Sequence, residues 1–179
     1  MILGVDKLLK LVKTKKLVEN LCERELTNPE GCGFDLCLGQ VHKISGIGFM
    51  GLTERDSVNS KLIREFDPKK KQSIVFKPGD CYLVTTREKL NMPLNLTAAM
   101  WLRSTLFRSG LIMSGGKIDP GYVGELSFLL FNAGPCKMKI ELGARIVHIM
   151  FFEINGKTNA YRGQWKGGRV TSSKKEVQV

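Results

Sequence analysis

"SIVFKPGDCYLVTTRE", residues 73–88, places two runs rich in Ile, Val, Phe and Tyr on either side of Pro78-Gly79. Proline presets φ for the first central position of a turn and glycine accepts a positive φ at the next, so the stretch reads as strand, tight turn, strand. The same grammar recurs along the chain. In "KMKIEL" (137–142), Lys137, Lys139 and Glu141 alternate with Met138, Ile140 and Leu142, the period-two pattern of a half-buried strand. "LSFLLF" (126–131) and "IVHIMFFEI" (146–154) are continuous apolar runs bounded by turn residues, which suits strands buried on both faces or at a subunit contact. Several short strands between Gly/Pro turns predict a mainly β fold: a sandwich, jelly roll or barrel.

The opening "MILGVDKLLKLVKTKK" breaks this pattern. Apolar residues at 5, 8, 9 and 12 with lysines at 7, 10 and 13 predict a short amphipathic helix, not the unbroken apolar core of a signal peptide. No stretch reaches the length of a membrane span. The expectation is a soluble, cytoplasmic protein with no membrane partner. Polar, charged residues over 51–73, and the tail from 156, are expected to be flexible.

The chain has 179 residues, enough for one domain with its own core, and 28 Lys+Arg against 17 Asp+Glu give a net charge of +11. That excess favours polyanionic partners: nucleic acid, an anionic membrane surface or a phosphorylated small molecule. Much of it lies in Lys13–Lys16, Lys69–Lys71 and Lys174-Lys175, runs that read as solvated faces or tails. Five cysteines with no C-x-x-C pair signal neither a zinc knuckle nor a disulfide framework.

Familiar catalytic signatures are missing. The chain has no G-x-x-x-x-G-K-[ST] loop, no G-x-G-x-x-G between strand and helix, and no H-x-E with P-C-x-x-C as a zinc deaminase needs. His42 and His148 lie far apart, each in a strand-like run, which argues against a histidine metal site or a Ser-His-Asp triad, and His148 reads as a satisfied core or interface histidine. Three elements remain. Arg103-Ser104 follows an apolar strand and offers a guanidinium fork and a hydroxyl to phosphate oxygens. Asp119 follows Gly115-Gly116, where a ligand can approach the backbone. Tyr122, three residues on, could floor a flat ring. Each also has a plain structural reading as an ion pair, a turn and a core residue. "YRGQWKGGRVTSS" (161–173) mixes Arg, Lys, Gly and aromatics as a phosphate-holding arm would, and equally as a solvated tail would.

"KIDPGYVGEL" (117–126) resembles the third signature motif of the homotrimeric dUTPase and dCTP deaminase superfamily. "GFDLCLG" (33–39) is similar to its first motif, "LRSTLFRSGL" (102–111) to its second, "LGARIVHIMF" (142–151) to its fourth, and "YRGQWKGGRV" (161–170) to the C-terminal segment of the deaminase-like branch. The resemblance runs in order over nearly the whole chain. It implies a jelly-roll-like β-barrel, assembled as a homotrimer with active sites shared between subunits. The implied organisation is a barrel domain over 1–155 and a flexible arm over 156–179 that closes over the site.

The superfamily carries out two reactions, hydrolysis of dUTP to dUMP and diphosphate, and deamination of dCTP. Its zinc-independent deaminases rely on a glutamate in the strand after the third motif, where this chain has Leu129, a residue unable to shuttle a proton. The resemblance therefore implies a dUTPase. Asp119 would orient and deprotonate the water that attacks the α-phosphorus. Arg103, Ser104, Thr105 and Arg108 would hold phosphate oxygens, and Gly116, Lys117, Ile118 and Tyr122 the uracil and deoxyribose. Tyr161, Arg162, Gln164, Trp165 and Lys166 of the arm would close over the nucleotide. Mg²⁺ would arrive mainly on the triphosphate, with Asp35 touching it through water. Departures are His148 where the fourth motif has glutamine, Gly121 where dUTPases have a second aspartate, and the absence of the arm's usual phenylalanine, for which Trp165 or Tyr161 would substitute. The alternatives are a dCTP deaminase, or a non-catalytic relative that binds nucleotide or nucleic acid.

Overall fold

The computed structural model describes residues 1–172 and 175–178; Lys174 of the Lys174-Lys175 pair and Ser173 of the arm lie outside the described residues. In chain order the elements are α1 (Val5–Lys15), β1 (Val18–Glu19), α2 (Glu23–Thr27), β2 (Gly33–Ser45), β3 (Phe49–Met50), β4 (Glu54–Asp56), β5 (Asn59–Glu65), β6 (Ser73–Phe76), β7 (Cys81–Asn91), β8 (Leu96–Leu102), α3 (Ser104–Arg108), β9 (Leu111–Ser114), β10 (Lys117–Ile118), β11 (Val123–Asn132), β12 (Met138–Glu141), β13 (Arg145–Glu153) and β14 (Glu176–Val177). The fold is mainly β, as expected, with the short helix at its start.

The predicted turn at Pro78-Gly79 is present: Gly79 has φ 85°, and the Asp80 N–H donates to the Lys77 carbonyl at 2.9 Å. The strands it joins part company, however, β6 pairing with β12 and β7 joining the main sheet. That sheet is antiparallel in the order β10-β8-β13-β2-β7-β11-β9, with β1 added to β7 and β5 to β2. It curls because β2 is long and irregular. Residues 33–37 pair with β13 and residues 38–42 with β7, while residues 40–45 pair with β5, with register shifts in all three pairings. Such shifts bend a strand and increase its twist.

The concave side encloses Phe34, Leu36 and Leu38 of β2, Val84 of β7, Phe128 and Leu130 of β11, and Val147, Ile149 and Phe151 of β13. From α1 only Leu8 is fully buried, with Leu9, Leu11 and Val12 packed at the margin. The lysines at 13, 15, 16 and 69–71 are exposed, as solvated faces are.

Two expectations change in detail. The segment 51–73 is largely β-structure: β5 pairs with β2, presenting Lys61, Arg64 and Glu65 to solvent, and its polar composition is that of an edge strand. The apolar run of β11 is buried on alternate positions only: Leu126, Phe128 and Leu130 are buried, while Ser127 and Leu129 are half-buried at a cavity that Leu126 and Phe128 also line.

The core also contains a carboxylate. Glu88 is fully buried; its Oε2 accepts from the Cys37 N–H at 2.8 Å, while its Oε1 has no hydrogen-bond partner among the described residues. The Arg87 guanidinium is 3.8 Å from that oxygen. Burial pushes the Glu88 carboxyl above its ordinary pKa, the hydrogen bonds only partly offsetting it, and burial with the neighbouring Glu88 raises the Cys37 thiol.

Candidate active site

"KIDPGY" folds as a tight turn between two strands that do not pair with each other, β10 and β11. β10 pairs with β8, then Asp119-Pro120-Gly121-Tyr122 turns, with Gly121 at φ 75° and the Tyr122 N–H donating to the Asp119 carbonyl at 3.2 Å. Proline followed by glycine supplies what a type II turn requires. Asp119 thus heads a turn and also faces a cavity of about 410 Å³. Gly116, Lys117, Ile118, Tyr122, Leu129, Tyr161 and Trp165 share its wall, with Val58, Leu83, Met100, Ser127 and Arg169. Asp119 is the one carboxylate in that wall among the described residues, and its Oδ1 is 2.7 Å from Lys117 Nζ.

Tyr122 is buried, and its hydroxyl donates to the Glu125 carbonyl. Burial, with Tyr161 and Glu125 nearby, pushes its phenol up to about 12, so it remains a neutral donor at physiological pH. Its ring meets that of Tyr161 edge-on, the centroids 5.5 Å apart.

The arm lies against its own chain. The Tyr161 N–H donates to the Pro120 carbonyl at 2.7 Å and the Gly167 N–H to the Val123 carbonyl at 2.6 Å. The latter contact needs Gly124, because a Cβ there would lie 2.2 Å from the Gly168 nitrogen. Farther on, Ser172 bonds to Ser57, Thr171 to Ser60, and β14 pairs with β4. Gln164 accepts from Arg55 Nε at 2.7 Å. Arg162, Gln164 and Lys166 do not line the cavity.

Arg103, Ser104, Thr105 and Arg108 do not line it either. They belong to the start and body of α3, beside a separate charged cluster centred on Asp35. Asp35 is 3% exposed, and its Oδ1 is 2.9 Å from His148 Nδ1. Its Oδ2 is 3.0 Å from the Arg145 guanidinium and also pairs with Arg103. The Asp35 N–H donates to Glu25 Oε2 at 2.9 Å, and Glu25 is held in turn by Arg24 at 2.5 Å. The register pairs His148 with Asp35 across β13 and β2, so first-motif and fourth-motif residues meet by strand pairing. Burial holds His148 below its usual pKa against the pull of Glu25, and lowers Arg103, with Arg145 and Arg24 adding repulsion.

The sequence-predicted residues therefore fall into two groups: an apolar cavity with Asp119, and a cationic cluster with Arg103 and Asp35. Glu25, Arg24, Arg145 and Ser127 were not singled out from sequence; the pairing that assembles them is long-range. Both Asp35 oxygens are engaged, Oδ1 by His148 and Oδ2 by the Arg103 and Arg145 guanidiniums, and no group of three or more His, Cys, Asp or Glu forms a metal site among the described residues. The chain's donors therefore do not fit a resident Mg²⁺.

A family model described as dCTP deaminase-like matches residues 2–154. A dCTP deaminase from Pyrococcus furiosus is 30% identical over 92% of this chain and 94% of its own. A deoxyuridine 5'-triphosphate nucleotidohydrolase from Methanocaldococcus jannaschii is 29% identical over 86% of this chain and 95% of its own. Among solved structures, 2'-deoxycytidine 5'-triphosphate deaminase from Agrobacterium tumefaciens superposes with a TM-score of 0.62 at 18% identity, covering 84% of this chain and 46% of that one, a likeness of fold.

Proposed function

The chain belongs to the dCTP deaminase-like family, and from that premise we propose that it hydrolyses dUTP to dUMP and diphosphate. The observation that supports this reading is the cavity wall: one carboxylate, Asp119, and at Leu129 an apolar side chain where the family's deaminases place a glutamate. Hydrolysis needs one base. Asp119 accepts a proton from water as that water's oxygen bonds to the α-phosphorus; the bond from that phosphorus to the bridging oxygen breaks, and diphosphate leaves. The apolar wall takes the base and sugar, whose burial excludes water from the reacting centre.

The triphosphate needs more cations than the two in the wall, Lys117 and Arg169, which are paired with Asp119 and Glu176. Arg103, Ser104, Thr105 and Arg108 are the phosphate-holding set in this reading, brought by a second copy of the chain in a homotrimer. Fixed guanidiniums in a partly buried cluster stabilise developing charge without reorganising. A Mg²⁺ ion carried on the triphosphate would supply further charge neutralisation there. Tyr161 and Trp165 cap the base, and Arg162, Gln164 and Lys166 follow the phosphates when the arm, residues 156–179, is closed.

Deamination of dCTP is the second reading, favoured by the name of the Pyrococcus furiosus relative. Diphosphate release from dUTP and ammonia release from dCTP, measured side by side for the wild type and Asp119→Asn, separate the two. Diphosphate without ammonia, falling about 10²- to 10⁴-fold in the variant, is the expected result. Ammonia from dCTP would replace this reading with the second.

A further inference from the structure

The cavity contains a polar atom whose bonding the chain leaves unmet. Ser127 lines the cavity, and its Oγ, turned away from open solvent, has no hydrogen-bond partner among the described residues. Its neighbours in the wall are engaged. Ser57 bonds to Ser172 and Thr171 to Ser60. The Tyr122 hydroxyl donates to a carbonyl, the Tyr161 hydroxyl accepts from the Trp165 N–H, and Asp119 pairs with Lys117. Ser114 is exposed and meets solvent. A buried hydroxyl without a partner is costly, and an alanine would fill the same place without that cost.

The backbone aims Ser127 deliberately. β11 and β7 shift register between Glu125 and Ser127, and the Leu126 N–H, displaced from the ladder, is taken by Thr86 Oγ1 at 3.0 Å. Thr86 in turn donates to the Glu88 carbonyl at 2.8 Å. Register irregularities of this kind redirect side chains beside functional sites. Downstream of the shift, Ser127 and Leu129 stand on one strand face about 7 Å apart, with Phe128 turned into the core.

We infer that Ser127 is a specificity-determining contact, its hydroxyl meeting a polar edge atom of the pyrimidine base. The surrounding wall of Leu83, Met100, Leu126 and Leu129 suits an uncharged ring, while both of its cations are spoken for by carboxylates. A hydroxyl rotates, donating to a ring carbonyl or accepting from an amino group. Ser127 therefore serves uracil and cytosine alike, and discriminates against a base with an apolar atom at that edge. Its contact is to the base and not to the phosphate.

The inference rests on the nucleotide-site reading above, and the test keeps the two apart. Calorimetric titration of the full chain uses dUMP, dCMP and, as a probe without a base, 2-deoxyribose 5-phosphate. For Ser127→Ala, dUMP and dCMP are expected to bind about 5- to 20-fold more weakly, with the sugar phosphate unchanged and the melting temperature equal or higher. Wild-type binding of dUMP with no loss in the variant overturns the Ser127 contact alone. Equal loss for all three probes, or a lowered melting temperature, makes Ser127 a structural residue and overturns it as well. A wild type that binds none of the three overturns both readings.

Discussion

Gly124→Ala tests whether the arm is held by contact between backbones. A Cβ at this position would lie 2.2 Å from the Gly168 nitrogen and 2.8 Å from the Gly167 carbonyl carbon, atoms that no rotamer can move aside. Gly124 also has φ 140°, a conformation that L residues rarely adopt and that costs about 1–3 kcal/mol. The strand is fixed at Gly124 by pairing with Leu90 of β7, and farther along by β9 as well, whereas the arm is held here by the Gly167 N–H to the Val123 carbonyl, worth about 1 kcal/mol. The clash therefore displaces the arm. A penalty of about 2–3 kcal/mol against docking lowers the docked-to-undocked ratio roughly 30- to 150-fold. Trypsin reads this directly, since Arg162, Lys166 and Arg169 lie in the docked segment, and cleavage after them should accelerate by a similar factor. Gly156→Ala is the control: φ 109° supplies strain, but nothing lies within 4 Å of its Cβ. Equal cleavage rates in wild type and Gly124→Ala, with unchanged KM for dUTP, would refute the docking argument.

Glu88→Gln is expected to gain stability relative to wild type as pH rises. Burial raises the carboxyl's folded-state pKa, so the stability it contributes is fully present below the unfolded value near 4.5 and is lost as pH climbs through the folded one; chemical denaturation at pH 4 and pH 8 checks this, a pH-independent difference contradicting it. Asp35→Ala leaves the Arg103 and Arg145 guanidiniums facing each other. With those groups about a third exposed, the expected loss is about 2–3 kcal/mol in urea unfolding, and a loss under 0.5 kcal/mol would mean solvent already screens the cluster. Asp119→Asn and Arg103→Ala, each inactive alone, should regain part of the dUTP turnover when unfolded and refolded together, because mixed assemblies contain sites with both residues intact. No recovery on co-refolding would place both residues in a site made by one chain.

The strands, the turn at Pro78-Gly79 and the opening helix were legible because each is written in adjacent residues. Asp119, Tyr122 and the turn joining them were legible for the same reason, the motif being contiguous. The Asp35 cluster was only half visible: Asp35 and Arg103 stood out, but Glu25 and Arg145 join them only through α2 packing and the pairing of β2 with β13. The polar strand β5 was mistaken for a flexible stretch because an edge strand with solvent on most of its positions loses the alternation that marks a half-buried one. Ser127 gave no signal at all. A lone serine in an apolar run is ordinary, and that its hydroxyl is unpaired becomes apparent only once β11 and β7 are in register.

β2 belongs to both halves of the sheet, its first residues bonded to β13 and its later ones to β7 and β5. A sheet divided between separate strands could come apart along the division, one half melting while the other persisted. Here such a separation would have to break a single continuous strand in its most buried stretch, from Phe34 to Val41. The chain should accordingly unfold in one cooperative step, with the amides of β2, β7 and β13 exchanging with solvent deuterium at a common, slowest rate.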